Sequence, residues 1–295
     1  MATVAFIGLG NMGGPMAANL VKAGHRVLGV DLNEANRQAA RDAGIETVDK
    51  TAEAAAQADA VISMLPAGPH VRSVYTAADG VIASIRPGTL LIDSSTIDVE
   101  TARAVAKEAE AAGHAMVDAP VSGGTGGARA ATLTFMVGGT EEAVERARPF
   151  LEAMGRTIVH AGGPGMGQAA KICNNMLLGI SMIAVSEAFV LADRLGLDRQ
   201  KLFDISSTSS GQCWSLTSYC PVPGPVPGSP ANRDYQPGFA AEMMLKDLKL
   251  AQQAAHSAGA PTPLGAQAEA LYQMMVASGL GGLDFSGIIK MLNGR

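Results

Sequence analysis

The sequence predicts an α/β chain, with a mainly parallel, doubly wound sheet over the first half and an all-helical segment after it. Three observations predict this. Short apolar runs at residues 4–7, 26–30, 60–64, 89–92, 115–117 and 133–137 alternate with alanine-rich segments of helical periodicity. That alternation is the signature of strands in a parallel sheet with helices on both faces. The alternation stops at Gly162-Gly163-Pro164-Gly165, and no convincing strand follows Ile158-Val159. The division expected is residues 1–164 for the sheet domain and 165–295 for a helical domain that opens with a long helix.

The elements follow in order. Residues 4–7 form a four-residue apolar strand, and residues 14–23 form a helix behind it. Between them lies Gly8-Leu9-Gly10-Asn11-Met12-Gly13, a G-x-G-x-x-G turn. Alone the pattern is weak, but a strand before it and a helix after it give it meaning. Gly8 allows the tight turn, Gly10 lets backbone approach a pyrophosphate, and Gly13 lets the helix pack on the strand. The phosphates would rest on the free N–H groups at the helix start. Asp31 ends the second strand, about 20 residues on, where an acidic side chain accepts from the adenosine ribose. A carboxylate there repels a 2′-phosphate, so the cofactor expected is NAD rather than NADP. Arg37, the nearby cation, reads as a solvated helix residue.

Residues 168–195 read as one long, mostly apolar helix, with further helical segments near 198–205, 240–258, 265–278 and 285–292. Ser181, Ser186 and Glu187 interrupt the apolar stretch, which fits a buried helix better than a membrane span. A helix apolar all round needs cover, and packing against a second subunit is expected to supply it. Residues 221–230, with Val222-Pro223-Gly224 echoed by Val226-Pro227-Gly228, read as a rigid surface loop.

Composition bounds the function. The 295 residues are 47% hydrophobic and 17% charged, with a formal net charge of -5. No basic block suits nucleic acid. The three cysteines, Cys173, Cys213 and Cys220, lack metal or disulfide spacing, and the five histidines do not cluster, so no metal is expected. No basic region precedes the first strand, which makes a cytoplasmic location the expectation.

Two clusters carry the chemistry. Histidine aside, Lys171 is the only charged residue between Arg156 and Glu187, and Asn175 lies at i+4 on the same helix face. Burial pushes a lysine toward the neutral amine, which can exchange a proton with a hydroxyl while hydride leaves the same carbon. Taken alone, such a lysine more often snorkels to water. The second cluster, Asp118-Ala119-Pro120-Val121-Ser122-Gly123-Gly124, ends the last clear parallel strand. Its backbone N–H groups and the Ser122 hydroxyl could hold a carboxylate, at the strand end where open α/β sheets bind ligands.

With these blocks in view, the chain resembles the β-hydroxyacid dehydrogenases over essentially its whole length. The resemblance rests on Gly8 to Met16, Asp118 to Gly124, Gly167-Gln168-Ala169-Ala170-Lys171-Ile172-Cys173-Asn174-Asn175 and Lys246-Asp247-Leu248, in that order. The segment Cys213-Trp214-Ser215 to Tyr219, followed by Pro221-Val222-Pro223-Gly224, is similar to the branch acting on 3-hydroxyisobutyrate. The resemblance implies Lys171 as general acid/base, with Ser122, Gly123, Gly124 and Asn175 holding the substrate carboxylate and hydroxyl. It implies Leu65, Pro66, Thr96 and Lys246 as cofactor contacts, Asp247 beside the substrate, and Trp214 and Tyr219 lining its pocket. The implied reaction is oxidation of 3-hydroxyisobutyrate to methylmalonate semialdehyde, a step in valine breakdown, by a homodimer or homotetramer. Other branches oxidise L-serine or reduce tartronate, glyoxylate or succinate semialdehydes. A non-catalytic cofactor-binding reader would be expected to lack the lysine. Cys220 departs from the branch pattern, where a polar residue is expected.

Overall fold

The computed structural model describes residues 1–294 and divides into two compact units, Met1–Lys171 and Ile172–Arg295. Unit one contains the sheet. Its strands are β1 (Thr3–Ile7), β2 (Arg26–Val30), β3 (Glu46–Thr47), β4 (Ala60–Ser63), β5 (Leu90–Asp93), β6 (Met116–Asp118), β7 (Val121–Ser122), β8 (Leu133–Gly138) and β9 (Gly155–Gly162). Its helices are α1 (Gly13–Lys22), α2 (Glu34–Asp42), α3 (Thr51–Gln57), α4 (Gly68–Thr76), α5 (Val81–Ser84), α6 (Val99–Ala111), α7 (Gly124–Ala130) and α8 (Glu141–Met154). The strand order is β3-β2-β1-β4-β5-β6-β8-β7, with β9 beside β8. Strands β1 to β6 run parallel to one another, whereas β8 runs antiparallel to β6 and β7 and parallel to β9. The expected doubly wound, mainly parallel sheet is therefore present.

Period-two alternation sorts the strand residues between the two faces. Val4 and Phe6 of β1 pack with Ile62, Ile92, Met16 and Leu20 on one face, joined by Val144 and Leu151 of α8. Ala5 and Ile7 pack on the other face with Leu28, Val61, Leu91, Tyr75 and Val105. Side-chain caps start several helices. Asn33 accepts from Ala35 N–H at 2.8 Å for α2, and Asp98 accepts from Thr101 N–H at 2.7 Å for α6. Each satisfies a donor that the first turn leaves open. The order of connection reverses between β1 and β4, and the crevice beyond their carboxyl ends is where such sheets bind ligands.

The long helix α9 (Met166–Leu195) begins in unit one and continues into unit two. Unit two adds α10 (Arg199–Ser206), α11 (Trp214–Thr217), α12 (Ala241–Ala258), α13 (Pro263–Met275) and α14 (Ile288–Leu292). Met182 and Ile183 of α9 pack with Met244, Leu248, Tyr272 and Ile288. A second cluster gathers Val185 and Phe189 with Leu216, Cys220, Val222 and Tyr235.

The proline-rich segment departs from a plain surface loop. Pro223 to Gly228 reach solvent, but Pro221, Val222, Ser229 and Pro230 are buried. Ser229 Oγ donates to the Cys220 carbonyl at 2.5 Å and closes the base of the loop. Burial pushes the Cys220 thiol up, and the residue serves as core packing.

Candidate active site

The glycine turn is shaped by its neighbours. Gly8 has φ of +93°, and a Cβ there would lie 2.3 Å from the Met64 carbonyl oxygen. A Cβ on Gly13 would lie 1.9 Å from the Gly8 carbonyl oxygen, so only glycine lets α1 begin this close to β1. Gly10 differs, since nothing lies within 4 Å of the Cβ it lacks. The space over Gly10 is an open cradle, which is what a pyrophosphate against the start of α1 requires. Asn11 is exposed and Met12 half-buried beside it, while Leu9 is buried. Asp31 braces the turn, with Oδ2 accepting from Leu9 N–H at 2.7 Å and Oδ1 from Asn33 N–H at 2.8 Å. The carboxylate is half-exposed and fixed in direction. Arg37 of α2 pairs with Glu34 of the same helix and with Asp49 beyond β3, and is thus engaged locally.

Leu65, Pro66 and Thr96 follow the carboxyl ends of β4 and β5, the same edge of the sheet. Leu65 N–H donates to Ser95 Oγ at 2.8 Å, and Ser95 Oγ donates to Asp93 Oδ1 at 2.5 Å. Ser63 Oγ reaches the same oxygen at 2.7 Å. Burial pushes the Asp93 carboxyl above the usual range, partly offset by these donors.

Ser122 ends β7, and the chain turns into α7 through Gly123 (φ +133°) and Gly124 (φ +60°). These left-handed conformations favour glycine. Ser122 is half-buried and Gly123 exposed, so the turn faces solvent at a strand end.

On α9, Lys171 is 7% exposed and Asn175 is 1% exposed, one turn apart. A lysine this buried is not a side chain that snorkels to water. Asn175 Nδ2 donates to Asp247 Oδ2 at 2.5 Å, and Asp247 is itself buried. That bond fixes the Asn175 amide, whose Oδ1 accepts from Asn174 Nδ2 at 3.0 Å. Lys246 Nζ is 3.8 Å from Asp247 Oδ1. The structure thus joins Asn175, Lys246 and Asp247 in one cluster.

Trp214 stacks on Tyr219 with ring centroids 5.0 Å apart, and Tyr219 stacks on Phe285 at 5.3 Å. The Tyr219 hydroxyl donates to Asp284 Oδ2 at 2.8 Å. Burial and the Asp284 carboxylate push that phenol up, so it stays a neutral donor held by Asp284. Trp214 is half-exposed and presents an aromatic face.

Sequence reasoning gave no role to Asp118 or Gln168 beyond their motifs. Asp118 Oδ1 accepts from Gly165 N–H at 2.7 Å, and Oδ2 from Gln168 N–H at 2.9 Å. The signal available was one acid closing an apolar strand. Among the described residues no group of histidine, cysteine and acidic side chains could hold a metal ion.

Residues 3–163 match the family described as the NAD binding domain of 6-phosphogluconate dehydrogenase. Residues 165–292 match the one described as NAD-binding of NADP-dependent 3-hydroxyisobutyrate dehydrogenase. A 3-hydroxyisobutyrate dehydrogenase of Pseudomonas aeruginosa is 50% identical, covering 100% of both chains. An NAD-dependent L-serine dehydrogenase of the same organism is 48% identical, over 99% of this chain and 98% of its own. The structure of Mycobacterium tuberculosis 3-hydroxyisobutyrate dehydrogenase with L-serine superposes with a TM-score of 0.95 at 52% identity, covering 99% of each chain.

Proposed function

This chain belongs to the β-hydroxyacid dehydrogenase family and is an NAD-dependent hydroxy acid dehydrogenase; on that premise we propose that it oxidises 3-hydroxyisobutyrate to methylmalonate semialdehyde, with Lys171 as general acid/base. The observation that carries the proposal is the buried Lys171, one turn from an Asn175 whose amide is oriented by Asp247. Lys171 Nζ accepts the hydroxyl proton as the carbon bearing that hydroxyl gives up hydride. The family resemblance assigns the hydroxyl to Asn175 and the carboxylate to Ser122, Gly123 and Gly124. Trp214 and Tyr219 offer an apolar aromatic surface to the substrate methyl group.

Bound NAD supplies the hydride acceptor. The open cradle at Gly10 and the fixed Asp31 carboxylate fit its pyrophosphate and adenosine ribose, with Leu9, Asn11 and Met12 completing the turn. The family resemblance also assigns Leu65, Pro66, Thr96 and Lys246 to the cofactor. A 2′-phosphate beside Asp31 would meet like charge, which costs several kcal/mol. The expected preference for NAD over NADP in kcat/KM is therefore at least about 100-fold, tenfold per 1.4 kcal/mol. Asp31→Asn should narrow it to about tenfold or less by removing that repulsion. Steady-state rates with both cofactors check this.

A second reading, oxidation of L-serine, draws on the relative of that name. The two substrates differ by a methyl against an ammonium, groups of similar size but different charge at one wall of the pocket. Trapping the product as a hydrazone after incubation with NAD and 3-hydroxyisobutyrate tests the proposal. A methylmalonate semialdehyde adduct supports it, and NAD reduction with serine alone moves the chain to the neighbouring branch. The valine-catabolic role rests on the same substrate.

The subunit partner is a second copy of the chain, as a homodimer or homotetramer. Leu177, Ala184 and Leu191 are exposed on α9 and recur every seven residues, a spacing that suits helix–helix contact. Leu177→Glu with Leu191→Glu is expected to yield monomers by sedimentation velocity, and an unchanged sedimentation coefficient would place the contact elsewhere.

A further inference from the structure

The boundary between the compact units falls between Lys171 and Ile172. The lysine is therefore the last residue of unit one, and whatever fixes the first six residues of α9 fixes its backbone against the sheet edge. Two buried side chains do this. Asp118, from the end of β6, accepts from Gly165 and Gln168 N–H groups at 2.7 and 2.9 Å. It thereby satisfies donors that a helix start leaves open and places negative charge where the helix dipole favours it. The approach demands glycine, since a Cβ on Gly138 would lie 2.4 Å from Asp118 Oδ1 and one on Gly167 2.8 Å from Oδ2.

Gln168 is fully buried. Its Nε2 donates to the Ser95 carbonyl at 2.7 Å, and its Oε1 accepts from Ile97 N–H at 3.1 Å. The amide therefore grips the backbone on both sides of Thr96. Ser95 in turn receives Leu65 N–H, so the ends of β4, β5 and β6 are tied to the first turn of α9. Lys171 lies three residues beyond Gln168, a rise of about 4.5 Å along the helix. A shift or rotation of that turn would break both Gln168 bonds and carry Lys171 with it.

We infer that Gln168 is a positioning residue, whose side-chain amide holds the Lys171 turn in register with the Ser95–Ile97 segment of the cofactor edge. The inference rests on the reading of Lys171 as acid/base. A misplacement of 1 Å from the reacting atoms is worth on the order of 100-fold in rate. Gln168→Met keeps length and burial but removes both bonds. Gln168→Glu keeps the acceptor for Ile97 and, when protonated, restores the donor to Ser95.

The full-length variants are compared with wild type and with Lys171→Ala for kcat, NAD dissociation constant, melting temperature and the primary deuterium isotope effect on kcat. The inference predicts that Gln168→Met lowers kcat by about 10- to 100-fold, with a raised isotope effect and a smaller rise in the NAD dissociation constant. It predicts that the Gln168→Glu to wild-type kcat ratio climbs as pH falls from about 8 to about 5.5, where a buried carboxyl regains its proton. Wild-type kcat and isotope effect in Gln168→Met would overturn it, as would a kcat loss that only tracks the folded fraction. If Gln168→Met does not fold, a pH-independent Gln168→Glu ratio overturns it. Turnover surviving in Lys171→Ala would remove the acid/base reading itself. A dead Lys171→Ala beside a fully active Gln168→Met would remove only the positioning role.

Discussion

Alanine in place of Lys171 is expected to lower kcat for hydroxy acid oxidation by about 10²- to 10⁴-fold, the usual contribution of a positioned acid/base. NAD affinity should change little, because the glycine cradle lies between β1 and α1 and Asp31 directly follows β2, separate in sequence from α9. Burial matters to the argument. At 7% exposure the Lys171 side chain has exchanged most of its water for protein. Steady-state kinetics with parallel NAD titration separate the outcomes. Lost NAD affinity with preserved turnover would remove the acid/base role.

Valine at Gly10 and valine at Gly13 should fail in opposite ways. At Gly13 the first added carbon would overlap the Gly8 carbonyl oxygen and press on the Phe6 ring. Neither is a flexible side-chain end, so the turn itself must open, at a cost on the order of 3 kcal/mol or more. At Gly10 the first added carbon meets nothing within 4 Å, so the melting temperature should hold. The cost appears only with the ligand. Wild type gains about 2.7 kcal/mol of stability at a hundredfold excess over the dissociation constant, and Gly10→Val should gain almost none. Thermal melts with and without NAD read both effects. NAD stabilisation retained in Gly10→Val would move the pyrophosphate away from this turn.

These expectations show which parts of the molecule were legible in the sequence. The parallel strands were legible because burial on both faces leaves near-continuous apolar runs, as in Val4-Ala5-Phe6-Ile7. Strands β3 and β7 were not, being two residues long and defined by their partners rather than by any period. Strand β9 showed only its Ile158-Val159 centre, because much of it is exposed. The glycine turn and Asp31 were legible because their spacing is local. The pairings Asn175–Asp247 and Gln168–Asp118 span 72 and 50 residues, and no periodicity announces a side chain that meets a distant partner. Burial of Lys171 was not legible from its apolar surroundings, which taken alone also fit a lysine that snorkels to water. The grip of Gln168 on the backbone around Thr96 became visible only with the fold.

The central claim is that this family member takes 3-hydroxyisobutyrate. The most direct measurement is NADH formation at saturating NAD with 3-hydroxyisobutyrate and L-serine assayed in parallel, read as a ratio of kcat/KM. A ratio above about tenfold in favour of 3-hydroxyisobutyrate is expected, since an ammonium against the apolar aromatic wall loses hydration that a methyl does not need. A ratio favouring L-serine would contradict the substrate assignment, and no NADH with either would contradict the proposed chemistry.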